Sequence, residues 1–279
     1  MTPLAIVLAA MSIAYSPTLT SAQGAIRLRL EHASHPIPPA AATVIVYVPQ
    51  RFDPARDFRW IIFLHGYGGC ATALVGSGGM ACAPDPPLRR GFGLGPQADR
   101  VSHNVLLVVP QLTWLERDGD PGRFDEDGFA RAFLNEAVER LRSTLGAGAP
   151  TDWNMPVTLV AHSAGFQTTL AIAVHGDLGS RLDSIVLLDA LYGRAHQFAA
   201  WAASDPQRRL LSIYTGRGTT RRQSLLLARM SEIAPTRSAS LALLRPAFEQ
   251  QRVVVAPSLL GHEQLARELF SDMLRLVAE

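Results

Sequence analysis

Short runs made almost wholly of apolar residues constrain this chain more than any other feature. They lie at Trp60–Leu64, Val105–Val109, Val157–Val160, Ser184–Leu188, Leu210–Tyr214 and Arg252–Ala256. A strand that is apolar at nearly every position has both faces covered, which is the condition of a parallel sheet flanked by helices. The segments between them have helical periodicity, at Gly128–Leu145, Gly165–Val174, Ala195–Ala203, Arg221–Glu232 and Glu263–Val277. Strand and helix in alternation predict an α/β domain with a mostly parallel central sheet of about eight strands and helices on both faces. Two earlier runs, Ile26–Leu30 and Thr43–Val48, have no helical pattern between them and predict an antiparallel start. Two long irregular stretches, Ala71–Arg100 and Leu112–Asp127, are of a length that compact domains reserve for functional loops.

A chain of 279 residues can bury one large core, and neither an internal repeat nor a second domain boundary is visible. All 26 basic residues are Arg, but the net charge is only +2 and no basic block is interleaved with aromatics. Nucleic acid is therefore not an expected partner. The apolar stretch Pro3–Tyr15 is too short for a comfortable membrane span, and small residues around Ala22 follow it. It reads as a secretory leader over 1–22, with 23–279 as the mature domain in a secreted or periplasmic setting. No later segment is apolar and long enough to span a bilayer. Cys70 and Cys82 share a Gly-rich stretch; an oxidising compartment predicts a disulfide there, a reducing one two thiols. Their spacing matches no zinc site, and His32 and His35, in a Pro-rich linker, read as solvated side chains. No metal or organic cofactor is expected.

In an open parallel sheet, ligands gather beyond the carboxyl ends of the strands. His65-Gly66-Tyr67-Gly68-Gly69 follows the first of the six runs, and Ala161-His162-Ser163-Ala164-Gly165 follows the third. Asp189 follows the fourth, and His262 lies just after the last. The pentapeptide around Ser163 alone also suits a serine that caps a helix, and Asp189 and His262 alone also suit helix starts. Together they set a hydroxyl, a base and a carboxylate along one sheet edge.

This arrangement resembles the α/β-hydrolase fold, whose chain order is nucleophile, acid, histidine. The resemblance spans about residues 23–279, with Ala161 standing where the common Gly-x-Ser-x-Gly elbow has its first glycine. It implies a catalytic Ser163, with His262 as base and Asp189 as the residue that orients it. The more usual place for the acid, after Leu210–Tyr214, reads TGRGTT and holds none. Asp183, Asp205 and Glu263 are the other carboxylates considered. By the same resemblance the oxyanion hole comes from the backbone N–H groups of Ala164 and Tyr67, with His65, Gly66, Gly68 and Gly69 shaping the turn. The implied activity is hydrolysis of a small-molecule or polymeric carboxylic ester. An amide hydrolase acting on peptide or cell wall, and a silent binding module on the same fold, are the alternatives. Trp114, Phe124 and Tyr192 are candidate pocket walls, each equally explained by packing.

Overall fold

Val105–Pro110 shows how the sheet is covered. All six residues are buried. Leu106 and Val108 pack into one apolar cluster, and Val105, Leu107 and Val109 pack into another on the opposite face. Alternate side chains thus enter two separate cores, which is why the run carries no polar position. The computed structural model describes residues 23–36, 42–80, 89–113, 116–216 and 218–278. The expected leader, Cys82 and Trp114 lie outside them.

The main sheet runs through β1 (Gly24–Leu28), β2 (Val44–Val48), β3 (Arg59–Leu64), β4 (Val105–Pro110), β5 (Val157–His162), β6 (Leu182–Leu188), β7 (Arg209–Thr215) and β8 (Val253–Ser258). Its spatial order is β1-β2-β4-β3-β5-β6-β7-β8. The β1–β2 and β2–β4 pairs are antiparallel. The pairs from β4 through β3, β5, β6 and β7 to β8 are parallel. The expected antiparallel start and parallel remainder are both present.

Helices α1 (Ala71–Val75), α2 (Leu94–Ala98), α7 (Leu241–Gln250) and α8 (His262–Val277) cover one face of the sheet. Helices α3 (Phe129–Leu145), α4 (Phe166–His175), α5 (Ala195–Ala203) and α6 (Thr219–Met230) cover the other. The stretch Ala71–Arg100, read from sequence as irregular, holds α1, α2 and a two-residue ladder pairing Gly79–Met80 with Arg89–Arg90. Helix α7 was not expected, because Pro246 sits inside it. Proline removes one donor from a helix interior, but burial of Leu244 and Phe248 holds this helix against the sheet.

His35 corrects the expectation of a solvated side chain, whereas His32 is partly exposed. His32 Nδ1 lies 2.7 Å from Glu136 Oε2. The His35 side chain is about 10% exposed, its Nδ1 is 3.0 Å from Ser34 Oγ, and burial lowers its pKa. The described residues contain no cluster of three or more His, Cys, Asp or Glu able to hold a metal ion, and no helix long and apolar enough to cross a membrane.

Candidate active site

Strand β5 ends at His162 and passes through a single 3-10 turn, Ser163–Gly165, into α4. Ser163 sits at the corner with φ of 57°, in the left-handed region that side chains other than glycine seldom adopt. The corner lifts its hydroxyl off the sheet. The neighbours must be small for a measurable reason. A Cβ on Gly165 would lie 2.1 Å from the Leu64 carbonyl oxygen. One on Gly66 would lie 2.6 Å from Ser163 Cβ and 2.8 Å from Ala164 N. The turn after β3 therefore presses directly on the elbow, and Ala161 beside it is fully buried.

The histidine comes from the far end of the chain. His262 opens α8 after β8, and its Nδ1 is 2.7 Å from Asp189 Oδ2. Asp189 follows β6 directly and has φ of 45°. Its carboxylate also accepts hydrogen bonds from Thr215 N–H (3.0 Å), Thr215 Oγ1 (2.7 Å) and Thr220 Oγ1 (2.5 Å). Burial by itself would raise the Asp189 carboxyl. Hydrogen bonds from His262, Thr220 and Thr215 outweigh it and hold the group down at about 2. An ionised Asp189 only accepts, so the His262 proton resides on Nδ1 and the Nε2 lone pair is open. Thr215 and Thr220, at the end of β7 and the start of α6, thus supply donors to a carboxylate on the neighbouring strand.

Two more histidines support this edge in neutral form. His65 is buried, and its Nε2 accepts the Leu112 N–H at 3.0 Å, which puts its proton on Nδ1, 2.9 Å from the Gly66 carbonyl. Burial lowers its pKa to about 4. His162 Nε2 donates to the His262 carbonyl at 3.0 Å. Its ring lies 4.5 Å from that of His262, and burial lowers its pKa to about 3. His162 thus forms a wall for the His262 imidazole, and His65 ties the turn after β3 to the end of β4.

Ser163, His262, His65, Gly66, Tyr67, Gly68 and Gly69 line one cavity of about 210 Å³. Ser163 and Tyr67 also border a wider cleft of about 630 Å³, with Phe166, Tyr192 and Arg117. Among the described residues no hydrogen bond joins Ser163 Oγ to His262. Tyr192 borders the wider cleft beside Ser163. Catalytic hydrogen bonds often tighten only once substrate is bound.

Tyr192 is a wall of the cleft, whereas Phe124 is buried among Phe129 and Phe133 and reaches no part of the site. The other carboxylates considered have other partners, although Glu263 also borders the cavity. Asp183 is paired with Arg59 near the opposite end of β6, Asp205 accepts from the Gln207 N–H, and Glu263 is paired with Arg267. The two threonines behind Asp189 were not anticipated. The TGRGTT segment carried a signal for them, since hydroxyls at a strand end beside a carboxylate are natural donors to it.

The loop after β4 is fastened to the elbow. Gly119 has φ of 81°, and a Cβ there would lie 2.4 Å from the Ala164 carbonyl oxygen. Gln167 Nε2 donates to the Asp118 carbonyl at 2.9 Å, and the Arg123 N–H donates to the Ser34 carbonyl at 3.1 Å.

No protein-family model matches the chain, and no curated protein matches it. Solved structures do share its fold. The feruloyl esterase module of Clostridium thermocellum, in complex with sinapinate, is similar with a TM-score of 0.52 at 13% identity, covering 90% of this chain and 94% of that one. A ferulic acid esterase gives 0.53 at 11% identity, covering 84% and 91%. An S-formylglutathione hydrolase from Staphylococcus aureus gives 0.54 at 10% identity, covering 91% and 95%.

Proposed function

We propose that this α/β-hydrolase fold serves a serine hydrolase that cleaves carboxylic esters through an acyl-enzyme. The observation that carries the reading is the 2.7 Å contact between His262 Nδ1 and an ionised, buried Asp189, facing a cavity that also holds Ser163 on a left-handed elbow. In this reading Nε2 of His262 takes the Ser163 proton as Oγ attacks the ester carbonyl. The N–H groups of Ala164 and Tyr67 receive the oxyanion. Ala164 is well placed for this, because the first N–H groups of a helical segment have no partner within it. His262 then protonates the departing alcohol and activates the water that frees the acid. Asp189 fixes the tautomer and balances the imidazolium.

The solved neighbours whose names describe esterases and a thioester hydrolase are consistent with this chemistry, as an analogy of fold. We further place the mature domain at 23–279, exported after loss of residues 1–22, with a Cys70–Cys82 disulfide bracing the turn after β3. Cys70 is buried immediately after that turn. Alkylation with and without reductant, read by mass, tests the bridge.

The decisive experiment is labelling of the mature protein with a fluorophosphonate probe beside Ser163→Ala. The expected result is labelling of the wild type that is absent from the variant. A folded wild type that takes no label, or a variant that keeps it, would overturn the assignment.

A further inference from the structure

A second groove of about 570 Å³ lies beside α8 and shares Arg90 and Phe92 with the catalytic cavity. Three guanidinium groups line it: Arg90, Arg100 and Arg267. Arg267 is fixed in place, donating to Glu263 at 2.5 Å and to the Gly91 carbonyl at 3.3 Å, with its guanidinium 5.4 Å from the centre of the Phe92 ring. Arg90 and Arg100 are exposed, and neither side chain has a carboxylate partner among the described residues. Among the described residues Glu268 is the one acidic side chain bordering this groove, and Glu263, which borders the catalytic cavity, is paired with Arg267.

From this continuity of charge and cavity, we infer that the substrate is an anionic ester, whose carboxylate-bearing portion leaves the Ser163 cavity past Arg90 and runs into the arginine-lined groove. The inference rests on the ester-hydrolase reading above and names the substrate class for that same site. Arginine suits the role because its planar fork meets a carboxylate through two parallel N–H donors. Arg90 lines the same cavity as Ser163, so a short diacid monoester reaches it. Arg100 borders only the outer groove, so only a longer chain reaches that group.

The test compares kcat/KM for matched esters. On the acyl side, mono-p-nitrophenyl adipate is set against p-nitrophenyl hexanoate; on the alcohol side, 4-carboxyphenyl hexanoate is set against 4-carbamoylphenyl hexanoate. One carboxylate-bearing ester is expected to exceed its neutral partner by about ten- to a hundredfold, the range of a hydrogen bond to a charged group. Arg90→Gln should erase that ratio and Arg90→Lys should keep part of it. Reading a ratio cancels any general loss of activity. Raising salt from about 0.05 to about 0.5 M should narrow the preference, since the guanidinium is exposed. Arg100→Gln should lower the ratio for a longer monoester, such as the sebacate, and spare that for adipate. No preference on either side, or one that survives Arg90→Gln, would overturn the inference. A wild type that neither takes the fluorophosphonate label nor hydrolyses any of these esters would instead sink the ester-hydrolase reading itself.

Discussion

Replacing Asp189 by Asn tests the acid assignment through proton placement. Each carboxylate oxygen of Asp189 has a defined set of partners. Oδ1 faces the Thr215 N–H at 3.0 Å and Thr220 Oγ1 at 2.5 Å; Oδ2 faces Thr215 Oγ1 and His262 Nδ1, each at 2.7 Å. A backbone N–H can only donate, so the amide oxygen of Asn must take the Oδ1 position and its NH₂ must face His262. Thr215 can rotate its hydroxyl to accept, but His262 Nδ1 then meets a donor and shifts its proton to Nε2. The base loses the lone pair it needs while the backbone keeps its bonds. The expected loss in kcat is about four orders of magnitude, or about 5 kcal/mol of barrier. The assay is steady-state hydrolysis of p-nitrophenyl hexanoate, with the fluorophosphonate labelling rate falling in parallel and the melting temperature little changed. Asp189→Ala should be less stable as well as inactive, because it strands the Thr215 and Thr220 donors at about 1–3 kcal/mol for each unsatisfied group. An Asn variant within tenfold of wild-type turnover would refute the tautomer argument and move the acid role to another carboxylate.

Thr220→Val removes one donor to the charged Asp189 and should cost about 1.5–3 kcal/mol of stability by denaturant melt; an unchanged melt would mean the contact contributes nothing. Gly66→Ala puts a methyl 2.6 Å from Ser163 Cβ, so it should slow fluorophosphonate labelling and destabilise the fold by about 1–3 kcal/mol. A variant labelled at the wild-type rate would show that the turn can yield. Acid should destabilise the protein before its carboxylates protonate. His65 and His162 are held at about 4 and about 3, below the ordinary 6.5, so the unfolded chain binds more protons than the folded one as pH falls from 6.5 to about 4. Stability is full above that window and falls through it, by about 2–3 kcal/mol per pH unit from the two groups together. Asp189 adds its own loss only below 3.8, toward its folded value of about 2. A urea midpoint that stays level between pH 6 and pH 5 would contradict the neutral, buried state of both imidazoles.

The strands were legible in the sequence to within about two residues, because a strand buried on both faces has to be apolar along its whole length. Ser163, Asp189 and His262 could be found for a related reason: each follows such a run, and the runs end where the chain leaves the sheet. Helix α7 was hidden because Pro246 argues locally against a helix that tertiary packing supports. The hydroxyls of Thr215 and Thr220 were invisible as partners of Asp189, since the contact depends on the twist and register of β6 beside β7. The enclosure of His35 was likewise beyond local pattern. It depends on the loop around Gly122, where a Cβ would come within 2.8 Å of the His35 ring.

The fastening of the loop after β4 bears on how the molecule is traversed. Gly119 rests on the Ala164 carbonyl, Asp118 is held by Gln167 from α4, and Arg123 is held by Ser34. A segment clamped at these points behaves as masonry, not as a door. Swinging it outward would drag the backbone next to Ser163 and unsettle the corner on which the hydroxyl stands. Traffic to and from the hydroxyl is therefore directed along the open flanks, past Tyr192 on one side and Arg90 on the other. The loop's sequence is bounded in the same way: a side chain at position 119 would collide with the turn that carries Ser163.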